Sequence, residues 1–549
     1  MMRTKTGKFR LLWFALIMLT ATSCFKEYFE TDKLSTNVQW EPNLCVAGVN
    51  TSLTIRDLIA DYDTTQLFVE DTTGFLYFMY HQRVFSLPAK DIVSLPDIPL
   101  ASQFTAAEFT AQGFPIPNNT ALVTHNITAA FALIHSEVFD SIKIKDCELI
   151  VNMNTTFQHS GILTITLPNA KLFGVPYTKN IPVSAGQNLT ESYFDLAGYT
   201  IDMTSTANQF PVTATYTLTS SGNPVLLTDA GDLSVTFHNI QYDYLFGDMG
   251  NYIINVDPST VHIDIFDNSF NGLVYFMDPK FRFIFTNSFG VTLGVQLNDF
   301  MIYSTMTQGY IGYPFPAVLN PYIINASQYP YPVNVQTLQL DTNNYPLIRT
   351  IASNAPKYVY FSGAGATLPP LPGQTNFISD SSRFSIDLEV ELPLWGKASF
   401  FALQDTLDFD VEAAIKDSGD FTIDNIEYIL FKLNVENGLP TDVFTQVYFV
   451  DTFYNVYDSL FYTPVASQIV ESGILNSYGR VVAPTKKISE IKFDNAKLQK
   501  LRPVKKILIR GTIKTTNNAT ENVRFYSDYE LRVKLGMRVQ ASINSQQFE

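Results

Sequence analysis

Apolar residues recur at every second position along much of this chain and almost nowhere at the three-and-four spacing of a helix. Phe384, Ile386, Leu388, Val390 and Leu392 alternate with Ser385, Asp387, Glu389 and Glu391. Ile142-Lys143-Ile144-Lys145 does the same, as do Val523, Phe525, Ser527, Tyr529, Leu531 and Val533 against their neighbours. Successive side chains of a strand point to opposite faces, so this period buries one face and wets the other. Residues 67–70 and 75–79 flank Asp71-Thr72-Thr73-Gly74, which reads as a hairpin with glycine at the turn. Only 54–62 and 106–112 suggest short helices. The 43 Phe and 29 Tyr add to the preference for strands. The expected fold is all-β, with tandem antiparallel β-sandwich domains.

The chain opens with Arg3, Lys5, Lys8 and Arg10, an apolar run over 11–19, and then Ala21-Thr22-Ser23-Cys24. A basic start, a short apolar core and small residues at a cleavage point make a secretory signal. The run is shorter than the ~20 residues that span a bilayer. Small residues directly before a cysteine resemble the lipobox of bacterial lipoproteins, which implies a multiply acylated Cys24 and stable membrane attachment. Behind it, Lys26, Glu27, Glu30 and Asp32 resemble the acidic export cluster of Bacteroidetes lipoproteins that face the cell exterior. The resemblance implies an outer-membrane, outward-facing location, with 1–23 as signal peptide and 24–40 as acidic tether.

Four of the 36 Lys and Arg precede Cys24 and none of the 52 Asp and Glu does, so the remainder carries a net charge of −20. Nucleic-acid binders need a basic face, so no nucleic-acid partner is expected. Cys45 and Cys147 are too few for a disulfide framework, although one bridge between them is open. At this length several domains are expected. A Gly/Pro-rich stretch over 361–375, from Gly363-Ala364-Gly365 to Pro372-Gly373, reads as a linker between a β-rich region at 41–360, holding two sandwich modules, and a C-terminal sandwich at 376–549.

An internal repeat is suggested. Phe281 to Asn287 is an apolar strand ending in Asn, with Gly290 close behind and Gln296 nine residues on; Phe431 to Asn437 is another, with Gly438 and Gln446. Asn and Gly tolerate the backbone angles of a turn. Asn437-Gly438-Leu439-Pro440 between two apolar strands resembles the strand–turn–strand core of late-embryogenesis-abundant type 2 domains, without that family's Asn-Pro pair. The resemblance implies immunoglobulin-like sandwiches, with 287–290 as a second, degenerate copy.

No nucleophile elbow, zinc-protease motif, phosphate loop or paired-cysteine site occurs. No catalytic residue, cofactor or metal is therefore assigned. His262, Asp264 and Asp267 read as a polar strand end, and Asp408, Asp410 and Glu412 as a solvated acidic face. Asp417, Asp420 and Asp424 lack the spacing of a calcium loop. Two features carry more. Tyr310, Tyr313, Phe315, Tyr322, Tyr329 and Tyr331 stand among prolines, in a stretch that sheet packing alone does not place, and are the expected partner or glycan contact. From Arg480 onward 15 cations meet six acids, leaving −29 on the rest of the chain after Cys24. Lys497, Lys500, Arg502, Lys505 and Lys506 are the expected basic contact face.

Together these features suggest a non-enzymatic lipoprotein acting as a binding or accessory subunit of an envelope assembly. It would have the membrane and an outer-membrane protein as partners. A glycan-binding lipoprotein of a polysaccharide-uptake system, a lipid carrier and a fimbrial subunit are the alternatives.

Overall fold

The computed structural model describes residues 39–41, 43–58, 66–116, 119–267, 273–316, 321–330, 333–370, 373–408 and 422–544. Cys24 and Tyr331 lie outside the described residues, as do Asp410, Glu412, Asp417 and Asp420. The chain is all-β and antiparallel, as its alternation implies. Among the described residues, eighteen strands build the main part of two sandwiches; the shorter Leu67–Val69 pairs onto the second of them, and Leu273–Phe276 and Val523–Arg524 onto the eleventh. β1 (Asn43–Thr54), β2 (Leu76–Pro88), β3 (Ile253–His262), β4 (Lys280–Asn287), β5 (Leu293–Ser304), β6 (Gly309–Gly312), β7 (Tyr322–Ile324), β8 (Asn334–Leu340), β9 (Pro356–Thr367) and β10 (Arg383–Pro393) come first. They are followed by β11 (Trp395–Asp408), β12 (Ile426–Asn437), β13 (Thr441–Val450), β14 (Val456–Ser459), β15 (Gln468–Val470), β16 (Thr485–Asp494), β17 (Lys506–Thr515) and β18 (Glu530–Ala541).

The first sandwich uses β2 to β10. One sheet runs β8–β4–β10–β2 and the other β3–β9–β5–β6, with β7 also on β5. The second uses β1 and β11 to β18: one sheet runs β16–β12–β18–β1 and the other β11–β17–β13–β14, with β15 also on β13. The two strand orders correspond position by position, so the suggested repeat is present as a repeated topology. Phe281 and Phe283 of β4 meet Phe300 and Phe361 across the first sandwich, at ring separations of 6.0 and 5.5 Å. Phe449 and Phe493 do the same across the second, at 5.8 Å.

The repeated asparagines explain why the same corner forms twice. Asn287 and Asn437 are both fully buried. The Oδ1 of Asn287 accepts from the Phe289 N–H, and its Nδ2 donates to the carbonyls of Val291 and Asn325, all at 3.0 Å. Asn437 repeats this with Leu439 N–H, Thr441 O and Glu471 O at 2.9, 2.7 and 2.8 Å. Each amide closes its own turn and ties it to a distant segment, satisfying backbone groups that burial would otherwise leave unpaired. The two glutamines do not share a role: Gln446 bonds both backbone groups of Phe461, whereas Gln296 is exposed.

The modules are nested rather than sequential, which corrects the expected boundaries. Strand β1 belongs to the second sandwich, pairing with β18 from Asn43↔Gln540 to Thr54↔Glu530. The whole first sandwich is inserted between β1 and β11. Between β2 and β3 lies a third unit, in which Ile98–Thr105, Ala230–Asp248, Val138–Thr155 and Asn188–Tyr193 form one layer. Thr120–Ala130, Gln209–Thr219, Ser160–Leu172 and Val175–Val183 form the other. Thr200–Asp202 pairs with a strand of each layer. Phe210 and Phe237 pack between the layers at 5.4 Å. The stretch at 361–375 is not a linker either: as far as Thr367 it is β9, the central strand flanked by β3 and β5. Its glycines serve close approach, because a Cβ on Gly363 would stand 2.8 Å from the Gln296 carbonyl oxygen and one on Gly365 3.2 Å from that of Gly294.

Local expectations fare better. Leu67–Val69 pairs with the start of β2 around Gly74, whose φ is +73°. The short helices form at Ile55–Leu58 and Ala106–Thr110; 59–62 lies outside the described residues. Cys45 is exposed and Cys147 buried, and both are free thiols, so they do not bridge. Burial pushes the Cys147 thiol up to about 12.

Candidate functional site

The aromatic stretch divides by function in the fold. Tyr313 turns inward, where its hydroxyl accepts from Asn354 Nδ2 at 2.8 Å. Phe315 packs on Phe283 and Phe300, and Tyr322 stacks on Phe285 at 5.3 Å. These three hold the first sandwich together. Tyr329, 55% exposed, caps Tyr244, Phe246 and Phe377 where the inserted unit meets the first sandwich. Tyr310, 62% exposed, stands elsewhere and joins residues that the sequence pattern did not single out.

Those residues come together through strand register. Val261, Val359 and Ile302 are buried on the inner face of the β3–β9–β5–β6 sheet, so their neighbours face outward. His262 of β3 pairs with Tyr358 of β9, Tyr358 with Tyr303 of β5, and Tyr303 with Tyr310 of β6. One row across four strands is thus His–Tyr–Tyr–Tyr. Tyr360, two residues along β9, adds a fourth tyrosine. The four rings close a cycle: Tyr303–Tyr310 and Tyr310–Tyr360 are 5.1 Å apart, Tyr360–Tyr358 6.1 Å and Tyr358–Tyr303 6.4 Å. Neighbouring planes meet at 60–72°, the edge-to-face arrangement that ring quadrupoles favour. Tyr310 and Tyr360 share a hydroxyl–hydroxyl hydrogen bond of 3.0 Å. Burial and that bond push the Tyr360 phenol up to about 12, so it is neutral at physiological pH.

Polar groups border the quartet. His262 stacks on Tyr358 at 5.0 Å, with Nδ1 2.8 Å from Asp264 and Nε2 2.7 Å from Asp267. Lys357 Nζ lies 3.2 Å from Asp267 and 5.6 Å from the centre of the Tyr358 ring. The hydrogen bond to Asp267 holds this ammonium above its ordinary range. On another side Asp299 accepts from Ser362 at 2.5 Å. The structure therefore gathers His262, Asp264 and Asp267 within hydrogen-bonding distance, with Lys357 also on Asp267.

The clustered cations do not make a uniformly positive face. Lys497 is half-buried over the rings of Phe493 and Tyr462 and donates to the Ser459 carbonyl at 3.1 Å. Burial lowers its pKa. Arg502 pairs with Asp424 at 2.7 Å, and Lys506 lies over Tyr454. Lys500 and Lys505 are exposed. Strand register brings Asp408 and Asp494 to this same end, beside Lys506 and the helix Asn495–Lys500. Asp494 is among the six acids counted from Arg480 onward, whereas sequence distance keeps Asp408 out of that count. Asp408 is exposed, as a solvated acidic face requires.

Two concave places stand out among the described residues. Gln103, Asn152, Asn154, Asn188, Asp232 and Ser234 line a shallow polar dish on the inserted unit. An apolar pocket of ≈ 160 Å³ between the sandwiches, lined by Phe78, Phe266, Trp395, Leu439, Ile513 and Phe525, is well below the ~300 Å³ at which ligand pockets begin.

The missed residues had one local signal, the Tyr358-Val359-Tyr360 alternation directly before the stretch taken as a linker. Across the chain, no family model and no curated protein sequence matches. Among solved structures, one of a protein from Parabacteroides distasonis described as secreted aligns at 10% identity and a TM-score of 0.29, over 54% of this chain and 89% of the other. Infectious bursal disease virus, Gx strain, aligns at 8% identity and a TM-score of 0.13, over 83% and 82%. Likenesses this distant decide neither fold nor function.

Proposed function

We propose that this protein is a non-enzymatic outer-membrane lipoprotein, acylated on Cys24 and facing the cell exterior, that acts as a binding or accessory subunit of an envelope protein assembly. In this reading the tyrosine face of the first sandwich is its contact surface. The observation that carries it is the quartet itself. Tyr303, Tyr310, Tyr358 and Tyr360 stand on the outer face of the sheet with Gly312 beside them. Tyrosine offers large contact area at low entropic cost, and interfaces are enriched in it. The resemblance of 437–440 to late-embryogenesis-abundant type 2 domains belongs to the same proposal, supported by a sandwich corner at that turn.

The test is crosslinking on intact cells with a membrane-impermeant reagent. A defined outer-membrane protein should be captured by the wild type and lost from Tyr310→Ala/Tyr358→Ala. Labelling only after lysis would remove the outward-facing reading, and capture unchanged by the double substitution would remove the tyrosine face from it. Replacing Cys24 by Ser should release the chain from the membrane fraction.

The amide-lined dish of the inserted unit favours a second reading, a glycan-binding lipoprotein, because side-chain amides both donate to and accept from hydroxyls and a carboxylate accepts from them. Retention on polysaccharide, abolished by Asn152→Ala/Asn154→Ala, is its expected outcome. Absence of retention on every glycan tried would end it.

A further inference from the structure

We propose that the tyrosine quartet is a binding site for an organic cation, an alkylammonium or guanidinium group. The inference rests on the contact-surface reading above and supplies the chemistry it lacks.

Three features lead there. The first is the closed ring cycle. A cation seated over the middle of a four-ring square with sides of 5.1 to 6.4 Å lies within the ~6 Å reach of cation–π attraction for all four rings at once. An uncharged apolar group would gain only contact area there. The second is the polarity of the border. Asp264 and Asp267 stand beside His262 at one side, and Asp299, opposite Ser362 two residues along β9 from Tyr360, at another. Anionic ligands are disfavoured by the same groups. The third is that the face already holds one ammonium: Lys357 sits over Tyr358 while paired with Asp267. Access is open, because Tyr310 is 62% exposed, and Gly312, on the same face two residues along β6, raises no side chain over it.

The cation's source is left to the experiment, since a small quaternary amine and the arginine of a partner protein present the same chemistry. The full chain, labelled with 3-fluorotyrosine, is titrated with choline, with N-acetylarginine amide, and with 3,3-dimethylbutan-1-ol, which has choline's shape without its charge. Fluorine shifts at the quartet are followed by NMR. Both cations should bind, and the alcohol at least tenfold more weakly. Tighter binding of choline would identify a free or headgroup amine, and tighter binding of the arginine amide a protein side chain. Tyr310→Leu should weaken cation binding about tenfold, whereas Tyr310→Phe, which keeps the ring, should weaken it less than threefold. A circular-dichroism melt identical to wild type guards against misfolding. Equal binding of alcohol and choline, no cation binding up to 100 mM (roughly), or indifference to Tyr310→Leu overturns the proposal. If crosslinking still captures a partner through this face in that event, the contact-surface reading stands and only its cation chemistry fails.

Discussion

Across the outer sheet of the first sandwich one row of paired residues reads His262, Tyr358, Tyr303, Tyr310. Across the corresponding sheet of the second, a row reads Thr406, Leu508, Tyr448, Ser459. Strand order is the same in both, and the buried corners carry the same asparagine with the same three hydrogen bonds. What differs is the face turned to water. Topology here is specified by inward-facing side chains and by two amides, so outward positions are free to acquire separate roles. The same contrast extends to charge. Arg282 of β4 lies between Glu389 and Glu391 with all three side chains mostly buried, while Lys432, the corresponding residue of β12, meets Glu490 at 3.4 Å in solvent.

The comparison breaks first at its corners. Asn287→Ala and Asn437→Ala should each cost about 3 kcal/mol or more in denaturant unfolding, because each leaves a buried N–H and two carbonyls short of a partner. A large cost at one site and none at the other would show that the corners are not equivalent. Next comes Arg282→Met, expected to cost about 2 kcal/mol at neutral pH by stranding Glu389 and leaving Glu391 with Lys280 alone. Burial raises the Glu391 pKa, but hydrogen bonds from Lys280 and Arg282 outweigh it and hold the group below its ordinary 4.5. A depressed carboxylate stabilises the fold above its unfolded pKa and loses that effect as pH falls through the folded value. The gap between wild type and Arg282→Met should therefore narrow below pH 4.5, and a constant gap would assign the loss to packing. Gly363→Ala should cost about 1–3 kcal/mol, since the new methyl group meets the Gln296 carbonyl; an unchanged melting temperature would mean that β9 and β5 can separate slightly at no cost. Smallest is Lys432→Ala, below about 0.5 kcal/mol for an exposed pair.

These contrasts also mark what could be read from residues alone. Alternation identified strands because it reports burial, and the Asn287 and Asn437 spacing pointed to a repeat because a turn needs its asparagine locally. The nested order was hidden, since nothing within 43–54 records a partner at 530–541. Gly363 and Gly365 read as flexible because glycine permits both loose linkers and tight strand contact, and only the neighbouring strand decides between them. The quartet was half visible. Tyr310 stood out among prolines, but Tyr303, Tyr358 and His262 join it through pairing across up to about a hundred residues. Tyr313, Phe315 and Tyr322 were misjudged for a related reason: prolines break strands without preventing the aromatics between them from entering a core.

The nesting also sets a timetable. Ser52 donates to Glu530 across 478 residues of chain. At the ~5–20 residues per second of synthesis, β1 emerges roughly 25–100 s before the strand it pairs with exists. Throughout that interval its edge is an unpaired template for wrong partners. The first sandwich and the inserted unit, whose strands are all made in between, have that time to fold undisturbed. Strand β18 is therefore the one that closes the second sandwich, and a chain cut short before residue 530 would carry two finished units and one left without its closing strand.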